Sequence, residues 1–325
     1  MLSQTNNINK DERDILVTGG SGRLGRELIK ELLKKGFTVR ALVRNKESCI
    51  HLPSGVIPYV GNINDLALIQ RACKGTKAVF HLAAIVSEYK SNAKDIISIN
   101  YDSTVMIAKE CEANKSKLIF ASTVDVYGKK RKGRLTEDSM AKPTDIYGHS
   151  KMLAERAVAA SGAEFTILRI ATMYGSSYDS AFFKVLRAIS IGKAYIIGKG
   201  NNKLSMVSSG DVVRAMLSSI EHGKNSIYNI SDGTSFSQRD LFNIAADLLK
   251  VRRPSKKLSE IIVRIVAKKY GIDSDELRFI TSDRDVSIDK AKSELGFVPT
   301  TDINGEGPRI VERFLAKYGS SISHG

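Results

Sequence analysis

A tyrosine and a lysine four residues apart, Tyr147 and Lys151 in "DIYGHSKMLAE", are the pair in this sequence best suited to moving a proton. At that spacing two helical residues share a face. A lysine ammonium beside a phenol favours the phenolate, and so lowers a pKa that is about 10 in a free tyrosine. A phenol tuned in this way can exchange a proton with a substrate oxygen at neutral pH, which hydride chemistry at an oxygen-bearing carbon requires. The spacing also describes any solvated helix surface. Something else must say that a hydride carrier is nearby.

The segment "VTGGSGRLGREL" says so. Gly19, Gly22 and Gly25 stand between an apolar run at 14–18 and a helical pattern at 23–35. Glycines there let the backbone turn tightly and approach a pyrophosphate, while the helix N-terminus offers unpaired N–H groups and partial positive charge. As the first βα turn of a parallel sheet, such a triplet reads as a dinucleotide site. The end of the second strand then bears on which dinucleotide. An acidic residue there grips the free ribose 2′-hydroxyl of NAD, but "GFTVRALVRNK" has Val43 at that point, followed by Arg44. Arginine forks onto a phosphate that a carboxylate would repel. The sequence therefore favours NADP over NAD, with Arg44 as the main contact and Arg23 or Lys46 as helpers.

These residues need a frame, and the patterning supplies one. Strand-like runs at 14–18, 37–43, 56–60, 77–83, 117–122 and 165–170 alternate with helical patterns at 23–35, 65–74, 93–114 and 146–161. Apolar strands alternating with helices make βαβ units and a doubly wound parallel sheet, an α/β fold of the Rossmann type. Beyond residue 170 helical patterns dominate, at 179–191, 237–250, 257–270 and 304–317, with a strand at 226–231 and a helix from Asp211. The expected division is a nucleotide-binding domain over 1–170 with a return segment at about 205–231. A smaller, mostly helical substrate domain would comprise 171–204 and 232–325.

The bulk numbers bound the rest. The 325 residues, 42% hydrophobic and 26% charged, are enough for a large core. No apolar run of about 18 residues exists to span a bilayer, and the polar start "MLSQTNNINKDERD" lacks a secretion-signal pattern. Three scattered cysteines, Cys49, Cys73 and Cys111, suit neither a disulfide framework nor a metal knuckle, and a reducing cytoplasm is the natural setting. The net charge of +15 is spread out except for "KKRKGR" at 129–134. With no aromatic residues interleaved, that run reads as a solvated loop, and no specific nucleic-acid partner is expected. The histidines show no metal spacing, so no metal is expected, and His149 sits at a variable, exposed place within its motif.

In order and spacing the motifs resemble those of the extended short-chain dehydrogenase/reductase family across nearly the whole chain. T-G-x-x-G-x-x-G is its glycine loop, covering Gly19, Ser21, Gly22, Arg23, Leu24 and Gly25. "GNIND" resembles its adenine segment, with Asn62 and Ile63, and "HLAA" the strand lining the cofactor, with Leu82, Ala83 and Ala84. "NYDST" resembles the helix led by Asn100, "ASTVDVYG" the hydroxyl-bearing strand end, and "YGHSK" the Y-x-x-x-K motif. "GDVVRAM" and "KAKSELGFVP" match later landmarks. The resemblance implies that Tyr147 is the acid/base, Lys151 its tuner and ribose anchor, and Thr123 the hydroxyl partner, with Ser122 beside it. It also implies a homodimer through the helices at 93–114 and 146–161.

Family members act on many small molecules. Relatives that bind nucleotide-sugars carry an asparagine and an arginine where this chain has Thr172 and Leu204. Those departures resemble the dihydroflavonol reductase and 3β-hydroxysteroid dehydrogenase branch. The first expectation is therefore an NADP-dependent carbonyl reductase or alcohol dehydrogenase. The second is a nucleotide-sugar epimerase or dehydratase holding its cofactor tightly, to which the basic run lends support as a lure for anions. A non-catalytic cofactor sensor is the third, and the intact Thr123, Tyr147 and Lys151 speak against it.

Overall fold

The computed structural model describes residues 14–86, 91–175, 181–263 and 281–322. Seven strands form the main sheet: β1 (Asp14–Thr18), β2 (Thr38–Val43), β3 (Ile57–Val60), β4 (Ala78–His81), β5 (Lys117–Thr123), β7 (Phe165–Ile170) and β11 (Ser226–Ile230). Their order is β3-β2-β1-β4-β5-β7-β11, and every pairing is parallel. The chain runs outward from β1 to β3, returns to β4 and continues the other way. The reversal between β1 and β4 opens a crevice at the carboxyl ends of the strands, where open α/β sheets bind ligands.

Period-two alternation sends side chains to both faces. Ile15 and Val17 pack with α1 (Arg23–Lys34) and α7 (Ser209–Ser218), while Leu16 packs on the opposite face with α2 (Leu66–Cys73), α4 (Ser103–Asn114) and α5 (Ile146–Ala159). A short α3 (Ala93–Ile97) leads into α4 through one π-helical turn, Ser98–Asp102. A third core gathers α6 (Ala181–Ser190), α8 (Gln238–Leu249) and the long C-terminal helix α10 (Ile303–Ile322). A shorter α9 (Asp289–Leu295) precedes α10. The expected helix at 257–270 instead begins with a short strand, β13 (Lys257–Leu258), before a helical turn at 260–263, and its remainder lies outside the described residues.

A second sheet corrects one expectation. The basic run at 129–134 is not a solvated loop: most of it forms β6 (Lys130–Leu135), which pairs in parallel with β14 (Asp283–Val286). Asp283 stands opposite Lys130 and Asp285 opposite Arg134, with a register shift between them where Gly133 turns to φ +79°. A basic strand is tolerable beside an acidic one, and that partner lies far away in sequence. The same sheet continues through β10 (Lys203–Ser208) to β12 (Ser235–Ser237), and β8 (Thr172–Tyr174) also pairs with β10.

One buried ion pair ties these parts together. Arg169 on β7 and Glu155 on α5 are 5% and 4% exposed, and the guanidinium grips both carboxylate oxygens, Nη2 to Oε2 at 2.8 Å and Nε to Oε1 at 3.1 Å. Nη1 donates to the Tyr127 hydroxyl (2.8 Å) and to the Glu137 carbonyl (3.1 Å), anchoring the segment that follows β5. Removing one partner strands a charge in the interior. Arg169→Met is expected to destabilise the protein by about 3–5 kcal/mol, read as a lower urea midpoint, and Arg169→Met/Glu155→Gln should recover part of the loss.

Candidate active site

The glycine loop is shaped by contacts that leave no room for a side chain. Gly19 has φ +69°, and a Cβ there would lie 2.9 Å from the Ala83 nitrogen. A Cβ on Gly25 would lie 2.4 Å from the Gly19 carbonyl oxygen. The loop is thereby pressed onto the end of β4, and α1 begins at Gly22 with no side-chain cap and no acidic residue in its first turn. Gly22, Arg23 and Leu24 at its start line a cleft, and a helix start there is the arrangement that receives a phosphate.

Two adjoining clefts share Gly19, Ser21, Gly22, Leu82 and Ala84. The wider, about 830 Å³, is lined by Arg44, Asn62, Ile63 and Ala83, and no carboxylate is among its described lining residues. The Asn62 carboxamide oxygen accepts from the Asn64 N–H at 3.0 Å, which fixes the side chain beside Ile63. The narrower, about 550 Å³, runs past Arg23, Leu24 and Gly25 to Thr123 and Tyr147. Together they make a trough of dinucleotide proportions, with a polar adenosine end and a reactive end. Arg23 thus lies toward the reactive half, away from Arg44. His149 is exposed, as its place in the motif suggests.

Asn100 is not in the trough. The π turn points it inward, where Oδ1 accepts from the Ile85 N–H (2.7 Å) and Nδ2 donates to the Ile85 carbonyl (2.9 Å) and the Ser150 hydroxyl (3.0 Å). Ser150 in turn donates to the Tyr147 carbonyl at 2.7 Å. Asn100 therefore holds the wall and the helix that carry the site.

Behind the trough lies a stack. The Phe120 ring packs against the His81 ring at 5.6 Å between centroids, and the Lys151 ammonium sits 4.0 Å from the Phe120 centroid. Lys151 is 2% exposed. Burial pushes it down to about 7, opposed by the Glu155 carboxylate one turn along α5. Most of that carboxylate's charge is already taken by Arg169, so the help is small. His81 is driven down to about 3, first by burial and then by the Lys151 charge, and is neutral. Its tautomer follows from its neighbours. Thr104 gives its only hydroxyl hydrogen to the Asn100 carbonyl (2.8 Å), so it accepts from Nε2–H of His81 (2.9 Å). Nδ1 then accepts from Thr18 (2.7 Å), whose oxygen receives the Leu82 and Ala83 N–H groups, each at 3.2 Å. The trough floor is thus pinned by a fully directed chain of hydrogen bonds.

Residues 15–231 match the NAD dependent epimerase/dehydratase family. The chain belongs to that family. Among curated proteins it is similar to a UDP-glucose 4-epimerase of Vibrio cholerae, 28% identical over 94% of this chain and 97% of that one. It is also similar to a decarboxylating sterol-4-alpha-carboxylate 3-dehydrogenase of Dictyostelium discoideum, 25% identical over 71% of this chain and 74% of that one. Among solved structures, MoeE5 in complex with UDP-glucose and NAD superposes with a TM-score of 0.74 at 25% identity, covering 94% of this chain and 99% of that one. Members of the family are NAD-dependent enzymes, and the superposition on MoeE5 shows a shared fold. The relatives weigh toward the epimerase reading that the sequence placed second.

Sequence reasoning did not single out Arg26 and His51, which also line the reactive half; Met173, which it weighed as pocket lining against a core role, lines it too. Met173 sits on β8 in a run of apolar residues whose other members, Tyr174, Phe182 and Phe183, are core, and nothing in the sequence separates them. Leu204 is 4% exposed and belongs to the third core, so it leaves no cation at that point of β10.

Lys151 makes a testable claim about stability. Its folded value lies below the ordinary 10.5, so between pH 10.5 and about 7 the unfolded chain binds a proton that the native state sheds. Stability therefore falls as pH drops through that window and levels off below it. Lys151→Met should stabilise the cofactor-free protein at pH 7 by about 2–4 kcal/mol, with the gain shrinking toward pH 10, while abolishing hydride transfer. Urea unfolding at a series of pH values checks it.

Proposed function

We propose that the protein oxidises a secondary hydroxyl of a nucleotide-sugar and then returns the hydride to the opposite face, as an epimerase. The single observation that carries this is the placement of Tyr147 and Thr123 at one end of a trough that runs past the glycine loop to Asn62 and Ile63 at the other. A nicotinamide dinucleotide, when bound there, accepts and returns the hydride. The residues present fit it: the Gly19 and Gly25 cradle and the uncapped start of α1 receive its phosphates, and Asn62 and Ile63 the adenine. Tyr147 takes the hydroxyl proton at its phenolic oxygen and later gives it back. Lys151, held beneath Tyr147 on the same helix face, favours the phenolate whenever it carries its proton. Thr123 orients the reacting oxygen. Likeness to the Vibrio epimerase along nearly the full length of both chains supports this choice over other members.

A second reading, an NADP-dependent reductase or dehydrogenase that releases its cofactor, is favoured by Arg44. It lines the adenosine half, where the described lining residues include no carboxylate, and a 2′-phosphate would find a guanidinium there rather than repulsion. Thr172 and Leu204, in place of nucleotide-sugar contacts, support the same reading.

Purified protein given UDP-glucose without added cofactor should form UDP-galactose, and Tyr147→Phe should lower the rate at least about 10²-fold while leaving cofactor affinity nearly unchanged. Consumption of external NADPH by carbonyl substrates, with no epimerisation, would favour the second reading instead. Arg44→Ser should weaken NADPH binding by about tenfold or more and leave NADH binding nearly unchanged in fluorescence titrations. Equal loss for both would remove the role given to Arg44.

A further inference from the structure

Arg26 lies four residues past Gly22 on α1, half-buried, and lines the narrower cleft. Its Nε is out of reach of solvent and has no hydrogen-bond partner. Arg40, Arg169 and Arg284, also withdrawn from solvent, are each matched by a carboxylate, Asp14, Glu155 and Asp125 respectively. Arg26 has no such match among the described residues, and no carboxylate is among the described residues lining its cleft. An unmet donor in a protein interior is costly, and a folded chain keeps one where a ligand or an ion completes it.

A helical side chain covers the turn before its own Cα. For Arg26 that turn begins at Gly22, the uncapped start of α1, which lines both clefts. The 3₁₀ turn Lys46–His51, which follows β2, brings His51 into the narrower cleft and Ser48 into the wider one beside Arg44. Donors from three separate elements therefore surround the place where the clefts adjoin. What they lack is an anion, and the planar fork of a guanidinium matches a phosphate. We propose that Arg26 is a ligand of a phosphate group of the bound dinucleotide. The glycine loop offers that phosphate main-chain N–H groups and a partial charge only, and Arg26 supplies the full one. Two phosphates qualify: the pyrophosphate, which NAD and NADP share, and the 2′-phosphate of NADP. The inference rests on the reading above in placing a dinucleotide in the trough. An arginine serving only as solvated helix surface would show its Nε to water.

The test is made on cofactor binding by the full chain, without substrate. NADH, NADPH and ADP-ribose are titrated into wild type, Arg26→Met and Arg26→Lys. Arg26→Met keeps the length of the side chain and loses its charge, and should weaken binding by about tenfold or more. Arg26→Lys, a cation without the fork, should fall between the two. Similar losses for all three ligands assign Arg26 to the pyrophosphate, and a loss confined to NADPH assigns it to the 2′-phosphate. The gap between wild type and Arg26→Met should narrow as salt rises from about 0.05 to 0.5 M, because the contact is between charges. Thermal unfolding gives a second readout. Without ligand Arg26→Met should melt no lower than wild type, since it gives up no internal partner, while the rise in Tm at a fixed cofactor concentration should shrink. Unchanged affinities for both cofactors overturn the inference, and so does a loss that salt leaves unaltered. Wild type that binds neither cofactor would sink the functional reading and the inference with it, whereas normal binding by both wild type and Arg26→Met sinks the inference alone. Because binding is read without substrate, a protein inactive on every sugar and carbonyl offered still decides it.

Discussion

Burying an ammonium is the demand around which the rest of this protein is arranged. Lys151 lies one helical turn from Tyr147 and almost wholly out of solvent. A charge so placed is tolerated only with compensation. The compensation here is partial by construction. The Phe120 face receives the ammonium, but the nearest carboxylate, Glu155, is clamped by Arg169 and by the Ser122 hydroxyl. A freer Glu155 would hold Lys151 charged across the neutral range. The arrangement instead leaves it near neutrality's midpoint, where a nearby proton transfer or an anionic ligand can change its state.

That demand propagates outward. Phe120 must lie flat between Lys151 and His81, so His81 must be uncharged, and the hydroxyls of Thr18 and Thr104 impose the required tautomer. Thr18 also fixes the Leu82 and Ala83 N–H groups, and Ala83 is the surface against which Gly19 packs with no room for a side chain. The proton-transfer end and the phosphate-binding end are therefore parts of one rigid floor at the sheet's reversal. Asn100 holds that floor to α5 from behind through Ile85 and Ser150.

What could be read from the sequence was what short range determines. The glycine loop, the parallel alternation and the Tyr147–Lys151 spacing each express a local backbone requirement, and each is found where its pattern lies. Thr123, Arg44, Asn62 and Ile63 also reach the trough, because strand ends in this topology converge on it. Long-range pairing was not legible. The basic run looked like a loop because β14, the acidic strand that makes it a strand, lies about 150 residues on. Arg284 carried no signal of its own, since its carboxylate partner Asp125 lies 159 residues away. Asn100 was assigned to the cofactor although its carboxamide is consumed by Ile85 and Ser150, and Leu204, read as the loss of an arginine contact, is a core residue. Residue type and spacing did not reveal which way either side chain faces.

The account stands on the state of one amine, and that state can be observed directly. In protein labelled with ¹⁵N at lysine side chains, the Nζ resonance absent from Lys151→Met should titrate with a midpoint of about 7 in the cofactor-free enzyme. A midpoint at the ordinary lysine value of 10.5 would mean that the ammonium is not desolvated, and the claim that the burial of this amine organises the site would have to be abandoned.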